Sequence, residues 1–399
     1  MAITIRPTTT PIKAPASIDN LRFTNYTDAT KGAQVLEIDP INRAITYGLT
    51  NAGGRAKLHS STDGMLTGTL VKDFNVGVAN GSQELVGMRF LPNGETMVTI
   101  RNAYTQADGG IFVSTGFKTN PATATWTRTL TYSNSGNYCT PFAWDAAPKG
   151  HVREGLVVVT EYGGQSAQGT TNIDAGASRV WVSLDYGKTW REIFNLLKTY
   201  GTKNQHMHGV AYDQYTDNIL MCFGDGYAGA PAVSGTMYSD DWLAETPTWK
   251  AIVPVQSAAA WQLTLMKPTP AGIVCGSDGG PDGIWFIARD GRGGYKFPEP
   301  VLTNIRGSWI GEMAYQSDPS RPSLMVFLNG QANADPVRVF LISARGDQID
   351  EVYVDSQLAP KWGGASYIIG PDRDGYVYWT ANDGRSVRTL SRGVLNYSV

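Results

Sequence analysis

Short apolar runs joined by Pro, Gly, Asn or Asp recur along the whole chain. Residues of that kind make tight turns, so each junction predicts two strands and a hairpin. The junctions are Asp39–Tyr47, Leu91–Val98, Asp145–Val158, Asp213–Leu220, Lys267–Val274, Ser317–Leu324 and Gly370–Val377. A second landmark follows each of the first six. Its strongest copy is Ser183-Leu-Asp-Tyr-Gly-Lys-Thr-Trp190, between the strand-like runs 179–182 and 191–194. There Asp185 can bond local backbone amides, Gly187 can take positive φ, and Trp190 can pack beneath the turn. Weaker copies are Ser61-Thr-Asp63-Gly64, Ser114-Thr-Gly116 leading to Thr125-Trp126, and Ser239-Asp-Asp241 leading to Thr248-Trp249; 288–291 and 343–347 hold remnants.

Together the landmarks define seven units that start near residues 34, 83, 138, 206, 260, 308 and 363. A strand-rich unit repeated at a period of about fifty residues is the signature of a ring of sheets. The pattern therefore predicts an all-β fold, a seven-bladed β-propeller of four-stranded antiparallel blades, or six blades if the first or last unit is incomplete. Residues 1–20, rich in Thr, Pro and Ala, form an extended N-terminal arm in this reading; 21–399 form the propeller, and the 21–26 segment or the arm closes the ring on the last blade.

Composition narrows the function more than the fold. Charged residues make up only 17% of the 399 residues, while Trp and Tyr number 11 and 19, a balance that suits strands and turns. A net charge of −2 gives no reason to expect nucleic acid or an anionic membrane as partner, and no run approaches the length of a bilayer span. The start, Met1-Ala-Ile-Thr-Ile-Arg-Pro7, lacks the plan of a secretory signal, which leads to the expectation of a protein made in a cytoplasm. Cys139, Cys222 and Cys275 are odd in number and far apart, and read as small buried residues.

Ser-x-Asp-x-Gly-x-Thr-Trp is the Asp-box of the BNR repeat, and 183–190 matches it at every defined position. The chain thus resembles the BNR/Asp-box (sialidase-like) β-propellers, which include sialidases, other glycosidases and non-enzymatic binding propellers. The resemblance implies a structural role for Ser183, Asp185, Gly187, Thr189 and Trp190, on a peripheral turn away from any mouth. It does not extend to sialidase chemistry. The Arg-Ile-Pro motif of that family has only Ile5-Arg6-Pro7 as a counterpart, and no Tyr/Glu nucleophile pair can be matched. In overall character the chain also resembles bacteriophage minor tail proteins.

If the box turns lie on one face, the entries to the first strands and the loops after the second strands share the other face and converge on the central mouth. They supply Glu84, Glu161, Tyr162, His206, His208, Asp225, Trp261, Trp309, Glu312 and Asn329. Carboxylates, imidazoles and aromatics in one place suit a sugar, by stacking and by hydrogen bonds to hydroxyls. Of these, Tyr162, His208, Asp225, Trp261, Trp309 and Asn329 are the candidate ligand contacts. The plainer alternative is that polar loops line every such mouth and satisfy one another.

His206 and His208, two apart on a strand, point the same way and with Glu161 or Asp225 can hold a metal; neutral imidazoles bonded to backbone are the plainer alternative. Glu84, Glu161 and Glu312, with the two histidines, are the catalytic candidates if the chain cleaves glycans, a reaction that needs two carboxyls about 5 to 9 Å apart. The loops beginning at Asp225 and Ser277 can hold calcium or be plain turns.

The expectation is a non-enzymatic phage tail component in the virion, structural or recognising a host-surface glycan, joined to other tail proteins through its arm and requiring no cofactor. A glycosidase or lyase acting at the mouth is the alternative. A bacterial cell-surface binding propeller is a third, disfavoured by the missing leader.

Overall fold

The computed structural model describes residues 24–26, 34–49, 56–65, 67–74, 83–102, 109–132, 144–161, 178–200, 206–224, 233–257, 261–277, 283–303, 311–318, 321–328, 337–342, 349–355, 367–370, 372–382 and 388–394. The first twenty residues lie outside this set.

Strand β1 (Thr24–Tyr26) comes first and belongs to the last sheet. Sheet 1 is β2 (Gln34–Ile38), β3 (Thr46–Leu49), β4 (Lys57–Ser61) and β5 (Thr69–Asp73). Sheet 2 is β6 (Gln83–Phe90), β7 (Thr96–Asn102), β8 (Gly110–Thr115) and β9 (Thr125–Thr131). Sheet 3 is β10 (Trp144–Ala146), β11 (Val157–Glu161), β12 (Arg179–Ser183) and β13 (Arg191–Asn195), followed by a short helix, α1 (Leu196–Tyr200).

Sheet 4 is β14 (His206–Asp213), β15 (Asn218–Gly224), β16 (Val233–Ser239) and β17 (Lys250–Ser257). Sheet 5 is β18 (Leu263–Pro268), β19 (Gly272–Ser277), β20 (Gly283–Ala288) and β21 (Glu299–Thr303). Sheet 6 is β22 (Gly311–Asp318), β23 (Arg321–Leu328), β24 (Val337–Ile342) and β25 (Ile349–Asp355). Sheet 7 is β26 (Tyr367–Ile369), β27 (Tyr376–Asn382), β28 (Arg388–Val394) and, as its fourth strand, β1. Among the described residues the fold is therefore seven four-stranded antiparallel sheets, and each of the seven hairpins read from the sequence joins the first two strands of one sheet.

The second strands show why the apolar runs are continuous. Every residue of β11, β15 and β19 is buried. Val158 packs toward sheet 4 among Val210, Ile219 and Phe223, whereas Val157 and Val159 pack toward sheet 2 with Met97, Ile111 and Val113. A strand pressed between two neighbours is apolar on both faces, and each fully buried Val, Leu, Ile or Phe contributes about 1.5–3 kcal/mol.

The same packing passes from sheet to sheet. Tyr47 and Leu58 meet Leu85, Ile100 and Phe117; Leu220 and Cys222 meet Leu263, Ile273 and Trp285; Val274, Ile284 and Phe286 meet Phe340. β22 and β23 lie against β26. The series then returns to its start, with Tyr378 of sheet 7 packed on Val35, Ile38 and Met65 of sheet 1. Within sheet 7, β1 pairs with β28 so that Thr24 faces Arg392 and Tyr26 faces Leu390. Residues 24–26 of the segment 21–26 thus pair with the last sheet as the sequence suggested.

Bulges recur at corresponding places. The first two strands shift register at Val35/Glu37, Leu85/Gly87, Met207/Gly209 and Thr264/Met266. Each extra residue strengthens the local twist of a first strand. Cys222 and Cys275 are buried free thiols, both pushed well above the ordinary range by burial. Cys139 lies outside the described residues.

Candidate functional site

Antiparallel order gives the sheets two different ends. The starts of first strands and the ends of second strands lie at one, the mouth end; the hairpins and the turns between third and fourth strands lie at the other, the turn end.

At the mouth end, Glu161 closes β11 and faces Arg179 in the ladder, which in turn faces Asn195. The Glu161 side chain is fully buried and accepts a hydrogen bond from Trp181 Nε1 at 3.2 Å. Arg179 lies 5.7 Å over the Trp181 ring and pairs with Glu192 at 3.2 Å, which also takes Lys198 Nζ at 2.7 Å. On sheet 4, His208 sits at the β14 bulge and is fully buried. A Cβ at Gly224 would stand 2.8 Å from His208 Cε1 and 2.7 Å from Gln262 Cγ, so only glycine lets the imidazole and the amide side chain lie this close to β15. Trp261 is half-buried and packed edge-on against Trp285 and Phe297, both at 4.8 Å.

The structure thus brings Glu161 and His208 to the same end of adjacent sheets 3 and 4, and Trp261 to the entry of sheet 5. By backbone position Glu84 faces Arg101 near the start of β6, His206 faces Gly224, and Glu312 faces Val326 on sheet 6. Tyr162, Asp225, Trp309 and Asn329 lie outside the described residues, as do most of the loops considered for calcium. Among the described residues no group of three or more His, Cys, Asp or Glu is placed to hold a metal ion.

At the turn end, the Ser183–Trp190 segment is closed by its own side chains. Ser183 Oγ donates to Asp185 Oδ1 at 2.7 Å and accepts from Gly187 N at 2.8 Å. Asp185 accepts from Lys188 N, Thr189 N and Thr189 Oγ1 at 3.1, 2.8 and 2.8 Å. Burial alone would raise the Asp185 carboxyl, but the bonds from Thr189, Ser183 and Lys188 outweigh it and hold the group below the usual carboxylate range. Gly187 has φ of 79°, and Trp190 Nε1 donates to Thr129 Oγ1 on the fourth strand of the preceding sheet at 3.0 Å.

The weaker copies are more complete than their sequences suggest. Ser61, Asp63 and Thr67 repeat the bonds of Ser183, Asp185 and Thr189, with Met65 at φ of 73° in the glycine's place. Asp241 binds Thr248 N and Oγ1 at 2.8 and 2.7 Å across a longer turn, and Trp249 Nε1 again reaches the preceding sheet, at Ile193 O. In sheet 2 no Asp stands in the turn. Glu95 from the neighbouring hairpin accepts from Ser114 Oγ, Gly116 N and Phe117 N instead, at 2.9, 3.0 and 3.1 Å.

Sequence reasoning missed a set of polar ties between sheets at this end. Arg153 of sheet 3 binds Asp217 of sheet 4 through Nε and Nη2, and Tyr212 Oη donates to the same carboxylate at 2.8 Å. Arg289 of sheet 5 grips the buried Asp213 of sheet 4 at 2.7 and 2.8 Å, and Tyr295 Oη adds a third bond at 2.8 Å. Burial and then the charge of Asp213 push the Tyr295 phenol well up. No local pattern signals such pairs, because each joins hairpins or turns of different repeats.

No protein-family model and no curated protein sequence matches the chain. Among solved structures, Raptor from Chaetomium thermophilum is similar with a TM-score of 0.51 and 14% identity, over 96% of this chain and 30% of its own. The polysaccharide lyase Uly1 aligns with a TM-score of 0.48 and 11% identity, over 92% of this chain and 90% of its own. The Trypanosoma rangeli sialidase, solved with the inhibitor DANA, aligns with a TM-score of 0.47 and 10% identity, over 93% of this chain and 59% of its own. The chain spans less than two thirds of Raptor and of the sialidase. At such identities the likeness is one of fold alone: an all-β chain of four-stranded antiparallel sheets.

Proposed function

We propose that the seven sheets are the blades of one closed β-propeller of the Asp-box type, and that the chain is a non-enzymatic phage tail component that meets a host-surface glycan at its mouth end. The closed ring is supported by packing that returns from sheet 7 to sheet 1 and by β1 on β28. The Asp-box reading is supported by identical bonding at Ser61 and Ser183. The tail assignment rests on the character of the sequence, sparse in charge and led by a Thr/Pro-rich segment.

The observation that carries the non-enzymatic reading is the burial of Glu161 and His208, the members of the candidate catalytic set whose side chains are described. A general acid must touch the leaving oxygen of its substrate. Side chains enclosed in the sheets, one of them bonded to Trp181, support the mouth and leave recognition to the loops above.

A glycan-array screen of the purified chain, with each bound glycan checked by mass spectrometry, tests this. Binding without cleavage is expected. Cleavage overturns the reading in favour of a glycosidase or lyase and makes Glu84, Glu161, Glu312, His206 and His208 the first residues to substitute. No binding at all would remove the recognition role.

A further inference from the structure

Strand direction in sheet 7 decides where the chain enters and leaves the fold. The strands lie in the order β26, β27, β28 and β1, each antiparallel to the one before. First strands start at the mouth end, so β28 runs from the mouth end to the turn end and β1 runs back. The register agrees. Val394, the last residue of β28, faces Tyr376, which follows the 370–375 hairpin, and Thr24 faces Arg392 on the side nearer that hairpin. The chain therefore enters β1 and leaves β28 at the turn end of one sheet.

That corner is fixed in place. Arg373 N in the hairpin donates to Arg43 O in the hairpin of sheet 1 at 2.9 Å. Asp372 accepts from Asp374 N and Tyr376 N, both at 2.9 Å, and from Tyr378 Oη. Tyr378 packs in turn on Val35, Ile38 and Met65 of sheet 1. Load arriving through β1 passes across β28 and β27 to a hairpin bonded to the neighbouring sheet.

We propose that the chain is held in its assembly from the turn end of sheet 7, and that the mouth end points away from that attachment. This rests on the tail reading above, in which the N-terminal segment joins other tail proteins, and adds the side from which they hold it. Length separates the two orientations. Strands such as β14 and β22 have eight residues, so a sheet measures about 25 Å from end to end. Twenty-three residues precede Thr24. A flexible chain of that length spans about 27 Å on average, and at most about 80 Å at full stretch. To hold the mouth end against the tail, such a segment would be consumed in running back along sheet 7. Held from the turn end, its whole length is available to reach a partner. The tether then lies opposite the mouth, and a bound glycan competes with none of its contacts.

Electron cryo-microscopy of tail particles carrying one gold label per chain tests the orientation. One preparation carries the label on Val152→Cys at the turn end, where the native side chain is 86% exposed. The other carries it on Lys198→Cys in α1, which follows the last strand of sheet 3 at the mouth end and has a side chain 73% exposed. Cys222 and Cys275 are buried, and Cys139 is replaced by Ser in both. Both labelled positions belong to sheet 3 or its end, so they differ mainly in height. The Lys198 label is expected about 25 Å farther from the tail body than the Val152 label. The reverse order, or equal distances, overturns the proposal and leaves the tail reading standing. Particles from which the wild-type chain is itself absent overturn the tail reading, and this proposal with it. If a labelled variant fails to fold or incorporate, the exposed Lys188→Cys at the turn end or Thr199→Cys at the mouth end takes its place.

Discussion

Asp185 takes four hydrogen bonds from Ser183, Lys188 and Thr189, so one carboxylate closes a whole turn. Asp185→Ala is expected to cost about 1–3 kcal/mol in thermal unfolding, since several donors lose their acceptor at once. The pH dependence has a definite sign. Asp185 and Asp241 are both held below the ordinary carboxylate range, for Asp185 because its bonds outweigh burial and for Asp241 first through the Thr248 hydroxyl. A carboxyl depressed in the folded state stabilises fully above its unfolded pKa, and that contribution is lost as pH falls through the folded value. Melting temperatures of wild type and Asp185→Ala should therefore converge below about pH 4; a constant gap down to pH ~2 would show that the carboxylate charge is not what holds the turn. The strong copy was legible because every donor and acceptor lies within eight consecutive residues. Met65 was not, since nothing in its side chain announces the left-handed backbone that glycine adopts more readily.

Strands and hairpins followed their sequence rules closely. The first strands begin at Gln34, Gln83, Trp144, His206, Leu263, Gly311 and Tyr367, close to where the repeat placed its units. Pro, Gly, Asn and Asp mark those turns locally, so no distant contact had to be guessed. The short helix after β13 was missed, although Asn195 before Leu-Leu-Lys-Thr offered a signal: its Oδ1 accepts from Lys198 N at 3.1 Å. Glu95 shows the opposite limit. Its bonds cross from one hairpin to another, and no spacing rule reaches that far. Glu95→Ala should destabilise the chain by about 1–3 kcal/mol, and adding Asp near Gly116 is not expected to restore it fully because that turn holds a different backbone. Thermal unfolding of the single substitution decides whether this carboxylate matters as the geometry requires.

On the scale of the whole molecule the sheets were legible and the site only partly so. Sheets arise from a pattern repeated many times, while the segments between them differ in sequence from unit to unit and obey no common rule. The histidine pair and the acidic residues were identified by type, but burial of His208 and Glu161 depends on packing between sheets that composition does not encode. The polar ties of Asp213 and Asp217 were invisible for the same reason. Deleting residues 1–26 removes the fourth strand of sheet 7 and should lower the melting temperature by several degrees, with sheets 7 and 1 loosened first. An unchanged temperature in calorimetry would mean that β1 contributes nothing to the stability of sheet 7.

The pairing of β1 with β28 also sets the timing of folding. During synthesis β1 leaves the ribosome long before its partner β28, because Tyr26 must meet Leu390. Six sheets can assemble from neighbouring sequence as they emerge, but the seventh requires a closure across almost the entire described chain. Contacts that distant form slowly, and until they do the nascent protein carries an open strand edge exposed to other chains. The last step of its folding is therefore the one at which a chaperone, or aggregation, has most time to act.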